Sequence, residues 1–181
     1  MVGGHVALSY AWDEDLRGYA RVARGFKAGG FNPSLNALAD NGVPGQYGAE
    51  YAFYDPEYLW NYELGLSSLW LAGALSADLS VFYMDRDDAQ LSHADPWAGD
   101  PAGFIFVTYN GAAGSYGLEA STIWQATGSW QFHGSLGWLE TEINDWDINP
   151  TVEGRDLAHA PSYTLNFGTT WTGPQGWYGR V

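Results

Sequence analysis

The chain has 181 residues, enough for one domain of ordinary size, and is rich in aromatics and glycine, with 10 Trp, 12 Tyr, 8 Phe and 24 Gly. Only 7 Lys and Arg stand against 21 Asp and Glu, so a formal charge of −14 excludes the clustered cations that a nucleic-acid partner or a basic patch on an anionic membrane requires. Cysteine is absent, which removes disulfide scaffolds, zinc–cysteine sites and thiol nucleophiles, and no run of 18 apolar residues exists to make a spanning helix.

Apolar residues recur at every second position, the period of a strand with one apolar face. Val6, Leu8, Tyr10 and Trp12 alternate with His5, Ala7, Ser9 and Ala11, predicting a strand over 5–12. A strand over 17–25 sets Gly18, Ala20 and Val22 outward and Arg17, Tyr19 and Arg21 inward. Over 58–70, Trp60, Tyr62, Leu64 and Leu66 oppose Asn61, Glu63, Gly65 and Ser67. Over 75–91, Leu75, Ala77, Leu79, Val81 and Tyr83 oppose Ser76, Asp78 and Ser80, with Phe82 and Met84 departing from the pattern. Strands over 108–125, 129–144 and 162–172 follow, and an eighth begins near Trp177.

Two features set these strands apart from a soluble sandwich. The inward set carries Glu63, Asp78, Glu119 and His133 in mid-strand beside Gly and Ser; a packed core would not tolerate so many ionisable groups, whereas a hydrated lumen does. The connections also alternate in length. Tight turns at 13–16, 71–74, 126–128 and 172–176 alternate with long segments at 25–57, 91–104 and 146–161 that are rich in Gly, Pro, Asn and Asp. Trp12, Trp70, Trp124, Trp130, Trp171 and Trp177 all sit beside a short turn, as in an aromatic girdle where hydrocarbon meets headgroups. The expected fold is therefore all-β: residues 1–181 as about 7–8 strands of an antiparallel transmembrane β-barrel in contact with outer-membrane lipid. The N-terminus lacks a signal-peptide pattern, so an exported chain of this kind is expected to have lost its leader.

Signs of catalysis or metal binding are weak. Asp85-Arg86-Asp87-Asp88 with His93 and Asp95 has no calcium-loop spacing, and the four histidines (His5, His93, His133 and His159) share no zinc-type spacing. Glu140 and Glu142 share one strand face but are not diagnostic of a glycosidase pair, and no nucleophile elbow is present. Neither a cofactor, a metal nor an enzymatic activity is expected. Gly29-Gly30 lacks the Lys-Ser/Thr of a phosphate loop and reads as loop backbone near a ligand. Arg24 and Lys27 stand out in so acidic a chain, either as contacts for an anionic ligand such as a ferric siderophore or as structural partners of nearby acids. Asn32, Tyr54 and Trp97 join them as loop-side candidates, with Tyr47, Tyr51 and Phe53 as further aromatics that either stack on a ligand or anchor the loop.

Five blocks in order carry a family resemblance. They are Tyr19-Ala20-Arg21-Val22-Ala23-Arg24-Gly25-Phe26-Lys27-Ala28-Gly29-Gly30-Phe31-Asn32; Asp55-Pro56-Glu57 with Asn61-Tyr62-Glu63-Leu64-Gly65-Leu66; Val81 to Gln90; Tyr116-Gly117-Leu118-Glu119-Ala120; and Gly154-Arg155-Asp156-Leu157-Ala158-His159-Ala160-Pro161. Together they resemble the later barrel of TonB-dependent outer-membrane receptors. The resemblance implies a 22-stranded barrel around an N-terminal plug. It also implies import of a scarce nutrient such as a ferric siderophore, with energy delivered by TonB through the plug. Neither the plug nor an aromatic-ended terminal strand is recognisable here, so the chain is expected to be one stretch of such a wall. The rival readings are a small structural or adhesive outer-membrane barrel and, behind it, an outer-membrane enzyme.

Overall fold

The computed structural model describes residues 2–33, 52–96 and 103–181. Its strands are β1 (Gly4–Ala11), β2 (Leu16–Lys27), β3 (Gly30–Phe31), β4 (Phe53–Tyr54), β5 (Glu57–Trp70), β6 (Leu75–Pro96), β7 (Phe104–Gln125), β8 (Trp130–Asp145), β9 (Tyr163–Thr172) and β10 (Tyr178–Arg180). Eight of them form one antiparallel sheet ordered β1-β2-β5-β6-β7-β8-β9-β10, and β3 and β4 pair separately as a short ribbon. Within this sheet each strand pairs with the next in chain order, a meander whose connections alternate between short turns and long segments. The sheet is not closed, and β1 and β10 are its edges.

Register converts the alternation along each strand into two continuous faces. One row across the sheet runs Ala20, Leu64, Val81, Leu118, Trp138 and Tyr163, and the row below it runs Gly18, Leu66, Leu79, Ala120, Leu136 and Leu165. The opposite face carries Arg21, Glu63 and Phe82 in one row and Ser67, Asp78, Ser121, Ser135 and Asn166 in another. The apolar face is bare: Leu8, Leu64, Leu165 and Phe167 are 74%, 59%, 81% and 72% exposed. Among the described residues the buried apolar side chains are Ala89, Val107, Tyr109, Ala113, Ile143 and Trp146, all toward the long-loop end. The spanning part therefore has no protein core of its own.

The sequence pattern ends β6 too early, at 91, and starts β7 too late, at 108, because a bulge interrupts the alternation. Pairing jumps between Arg86 and Ala89, with Asp88 in the left-handed region at φ 55°. Beyond it the parity of β6 inverts, so Leu91, His93 and Asp95 face the same side as Ser80 and Asp78. A second irregularity, at Ala112/Ala113 against β8, restores the fit on the other side. β6 therefore runs to Pro96 and β7 starts at Phe104, inside the stretch expected as a loop at 91–104.

Against this extended hairpin folds the segment after β8. Ile143 N–H donates to Arg155 O at 2.9 Å, Gly154 N–H to Ile143 O at 2.9 Å, and Leu157 N–H to Thr141 Oγ1 at 2.9 Å, stitching the segment back along β8. A 3-10 turn at Pro150–Val152 reverses it. Its Trp146 completes a small core with Val107, Tyr109 and Ile143, packed by Leu91, Ile105, Ile148, Val152 and Leu157.

The large rings on the polar face are accommodated by glycines paired across from them. Tyr19 lies over Gly65, Phe82 over Gly117 and His133 over Gly168, the ring-on-glycine pairing that shields a bare backbone. This accounts for Phe82, which the alternation left unexplained. A Cβ at Gly117 would collide with the Trp138 carbonyl oxygen and meet Phe82 Cζ at 2.7 Å. Gly117→Val is therefore expected to destabilise the sheet by about 1–3 kcal/mol, measured as a lower urea midpoint of Trp fluorescence in detergent micelles.

Candidate functional site

The polar face has a hub at Glu63. Tyr19 Oη donates to Glu63 Oε1 at 2.5 Å, the Arg21 guanidinium pairs with Glu63 Oε2, and Asn61 Nδ2 donates to the same oxygen at 3.4 Å. The cause is register: Arg21 is directly opposite Glu63, and Tyr19 is opposite the next inward residue, Gly65. Toward the turns, Tyr19, Asp78, Ser80, Glu119, Ser121, Ser135 and Thr164 line an open depression of about 330 Å³. Asp78 and Glu119 meet there because Ser80 pairs with Glu119 and Ser121 with Asp78. Neither carboxylate has a hydrogen-bond or ion-pair partner among the described residues. All four residues expected to face inward, Glu63, Asp78, Glu119 and His133, thus share this face, but only Asp78 and Glu119 share the depression. Tyr19, Arg21 and the serine row were the missed members. Their inward parity was readable, but their partners depend on cross-strand register.

The loop-side candidates separate. Lys27 has polar-face parity opposite Glu57, yet Glu57 is occupied, by Arg86 at 3.8 Å and by the Gln90 N–H at 3.0 Å. Lys27 is left exposed with no ion pair among the described residues. Tyr54 lies across Gly30 on the β3–β4 ribbon, so close that a Cβ at Gly30 would meet its ring. Gly29-Gly30 is therefore a packed crossing and not free loop. Asn32, 4% exposed, is a tie: its Nδ2 donates to Thr108 O at 2.8 Å and its Oδ1 accepts from Thr108 N–H at 2.9 Å, closing the β7 backbone as a strand residue would. Arg24 has the parity of the apolar face. Trp97, Tyr47 and Tyr51 lie outside the described residues.

Beside the small core at the long-loop end, Asp95 accepts from Tyr109 Oη at 2.7 Å and contacts His93 Nδ1 at 2.9 Å, while the His93 ring meets Trp146 edge-on at 5.7 Å. Asp85 and Asp87 lie across from Trp60 and Tyr58 on the opposite face from Arg86, so alternation and the bulge disperse the acids that stand together in sequence. Among the described residues no group of three His, Asp or Glu is placed to hold a metal ion. Glu140 shares the apolar-face parity with Tyr116 and accepts from Trp138 Nε1 at 3.2 Å.

The apolar face is bounded at both ends by aromatic rings. Toward the turns stand Trp12, Trp70, Trp124, Trp130 and Trp171; toward the loops stand Tyr62, Tyr83, Tyr116, Trp138 and Tyr163. Neighbouring rings touch at each end, with centroids 5.8 Å apart for Trp124 and Phe132, which pairs with it on β8, and 6.4 Å for Tyr62 and Tyr83. Tyr62 and Trp70, Tyr116 and Trp124, Trp130 and Trp138, and Tyr163 and Trp171 are each eight residues apart. That is roughly 27 Å of strand, or about 20 Å along the normal at a tilt of ~40°, close to the ~25 Å apolar band of membrane barrels. The second belt was legible as this spacing and was missed.

A family model described as "TonB dependent receptor-like, beta-barrel" matches residues 3–181. Among solved structures, the ferric yersiniabactin uptake receptor FyuA from Yersinia pestis is similar over 92% of this chain and 22% of its own, at 22% identity and a TM-score of 0.65. The copper transporter OprC matches over 95% of this chain and 24% of its own, at 18% identity and a TM-score of 0.69. The pyoverdine outer membrane receptor FpvA from Pseudomonas aeruginosa PAO1 matches over 94% and 22%, at 17% identity and a TM-score of 0.63. At these identities the likeness is one of fold, and the chain spans about a quarter or less of each structure.

Proposed function

From the premise that this chain belongs to the TonB-dependent receptor-like β-barrel family, we propose that it forms part of the wall of an outer-membrane receptor that imports a scarce nutrient such as a ferric siderophore. The family is one of receptors and transporters rather than enzymes. The observation that carries the reading is the bare apolar face held between two aromatic belts and backed by a polar, ionisable face. A contiguous apolar surface of this size needs a non-aqueous partner, and the belts give that partner the thickness of a membrane. On this reading the turns face the periplasm and the long loops the exterior.

The polar face then lines the lumen, with Glu63, Asp78, Glu119 and His133 exposed to water or to the plug through which TonB acts. Lys27 and Tyr54 are the proposed ligand contacts at the outer mouth, with Trp97 as a further candidate outside the described residues, and Asn32 ties the chain after β3 to β7. An anionic ferric complex is favoured at Lys27 because its acidic neighbour is already engaged by Arg86. The test is uptake of iron presented as catecholate, hydroxamate or phenolate complexes, and of copper, in cells whose only such receptor carries this chain. One substrate is expected to dominate and to stop entering when the proton gradient is collapsed. Lys27→Glu is expected to raise its half-saturating concentration about tenfold, the loss of ~1.4 kcal/mol. Energy-independent uptake, or none of any substrate, rules the proposal out.

A further inference from the structure

The basic residues divide by face. Of the 7 Lys and Arg, Arg155 lies in the segment after β8, and Arg17, Arg21, Lys27, Arg86 and Arg180 have polar-face parity. Arg24 alone faces the apolar side. It stands opposite Trp60, two residues beyond the row of Val22, Tyr62, Tyr83 and Tyr116 that forms the loop-side belt. Its guanidinium carbon lies 4.3 Å from the centroid of the Tyr58 ring and 5.6 Å from that of Trp60.

Arg21 and Arg86 each have a carboxylate partner. The Arg24 side chain has no hydrogen bond or ion pair among the described residues, and its Nε is buried without one. The nearest acids on this face, Asp85 and Asp87, are one strand further away, across from Trp60 and Tyr58, so the rings stand between them and the guanidinium. Stacking on rings occupies the flat face of a guanidinium and leaves its N–H edge for a planar or tetrahedral oxyanion. A side chain outside an aromatic belt on a membrane-facing surface stands at the level of lipid headgroups.

We propose that Arg24, clamped by Tyr58 and Trp60, binds the phosphate of a lipid headgroup in the leaflet on the loop side. The proposal rests on the membrane reading above and goes beyond it, because it turns Arg24 from the nutrient to the bilayer. One cation held by two rings is a single docking point for an annular lipid and does not require a basic patch.

The intact receptor carrying this chain, delipidated in mild detergent, is titrated with diphosphoryl lipid A and with its dephosphorylated form, and bound lipid is counted by native mass spectrometry. Wild type is expected to prefer the phosphorylated lipid, and Arg24→Ala and Arg24→Gln to weaken that binding about fivefold, the contribution of one basic side chain near a charged membrane surface. Arg180→Ala, on the other face, is expected to change nothing. Arg24→Gln keeps the polar stem and serves if the alanine variant does not fold. Equal binding by folded, heat-modifiable Arg24 variants overturns this proposal alone. Full displacement of the lipid by millimolar inorganic phosphate also overturns it, in favour of a free-anion site. A protein that never inserts into membrane overturns the membrane reading and this proposal with it.

Discussion

Leu79→Arg is expected to lower the stability of the membrane-inserted sheet by about 2–4 kcal/mol, the depth-dependent cost of a cation at the bilayer midplane of a barrel. Leu79 is on the apolar face, 43% exposed, midway between Leu75, level with Trp70 and Trp124 of the turn-side belt, and Tyr83 in the loop-side belt. The same substitution at Ser80 is expected to cost only about 0.5 kcal/mol. Ser80 is on the polar face opposite Gly65 and Glu119, where the guanidinium keeps its water. The two sites are adjacent in sequence with nearly identical backbone surroundings, so their difference isolates the medium that each face meets. Urea titration of the receptor refolded into lipid vesicles measures both. Equal losses at the two positions would mean that the apolar face is covered by protein.

Trp146→Ala is expected to release the segment after β8 while leaving the spanning strands folded. Trp146 is 5% exposed and packs with Val107, fully buried, and with Ile143 and Tyr109. Truncating such a ring costs about 3–5 kcal/mol, a large part of what so small a core can supply. The segment's remaining hydrogen bonds to β8 are few: the Ile143–Arg155 and Gly154–Ile143 backbone bonds and the bond from Leu157 N–H to Thr141 Oγ1. Trypsin cleavage after Arg155, an exposed residue within the segment, is expected to accelerate at least tenfold, with heat-modifiable migration unchanged. Loss of the folded band as well would show that this outer core supports the whole sheet.

Strand positions were legible wherever alternation was unbroken. The expected strands at 5–12, 17–25, 58–70, 129–144 and 162–172 agree with those observed to within two residues at each end. Legibility failed beyond Asp88, because the bulge exchanges the faces and the period-two reading stops at 91, short of the observed end at Pro96. It failed again in the long segment after β2, where the β3–β4 ribbon is too short to carry a period. Of the candidate site, inwardness was legible and partnership was not. Glu63 and Arg21 are 42 residues apart, and nothing local distinguishes a carboxylate with three donors from Asp78, which has none among the described residues. Arg24 shows the same limit most clearly. In sequence it stands with Lys27 as a pair of cations in an acidic chain, yet three residues along a strand place the two on opposite faces.

By itself the sequence determined the medium of each face. Side-chain transfer energies depend on residue type and parity alone, and so does the eight-residue gap between aromatic belts that sets the thickness of the apolar band. Tertiary structure decided which residues act together. Register selected Glu63 for Arg21 and Tyr19, the bulge at Asp88 turned His93 and Asp95 toward the outer core, and cross-strand neighbours gave Arg24 two rings in place of a carboxylate. These pairings are energies between strands, and a strand carries no record of its neighbours until the sheet has formed.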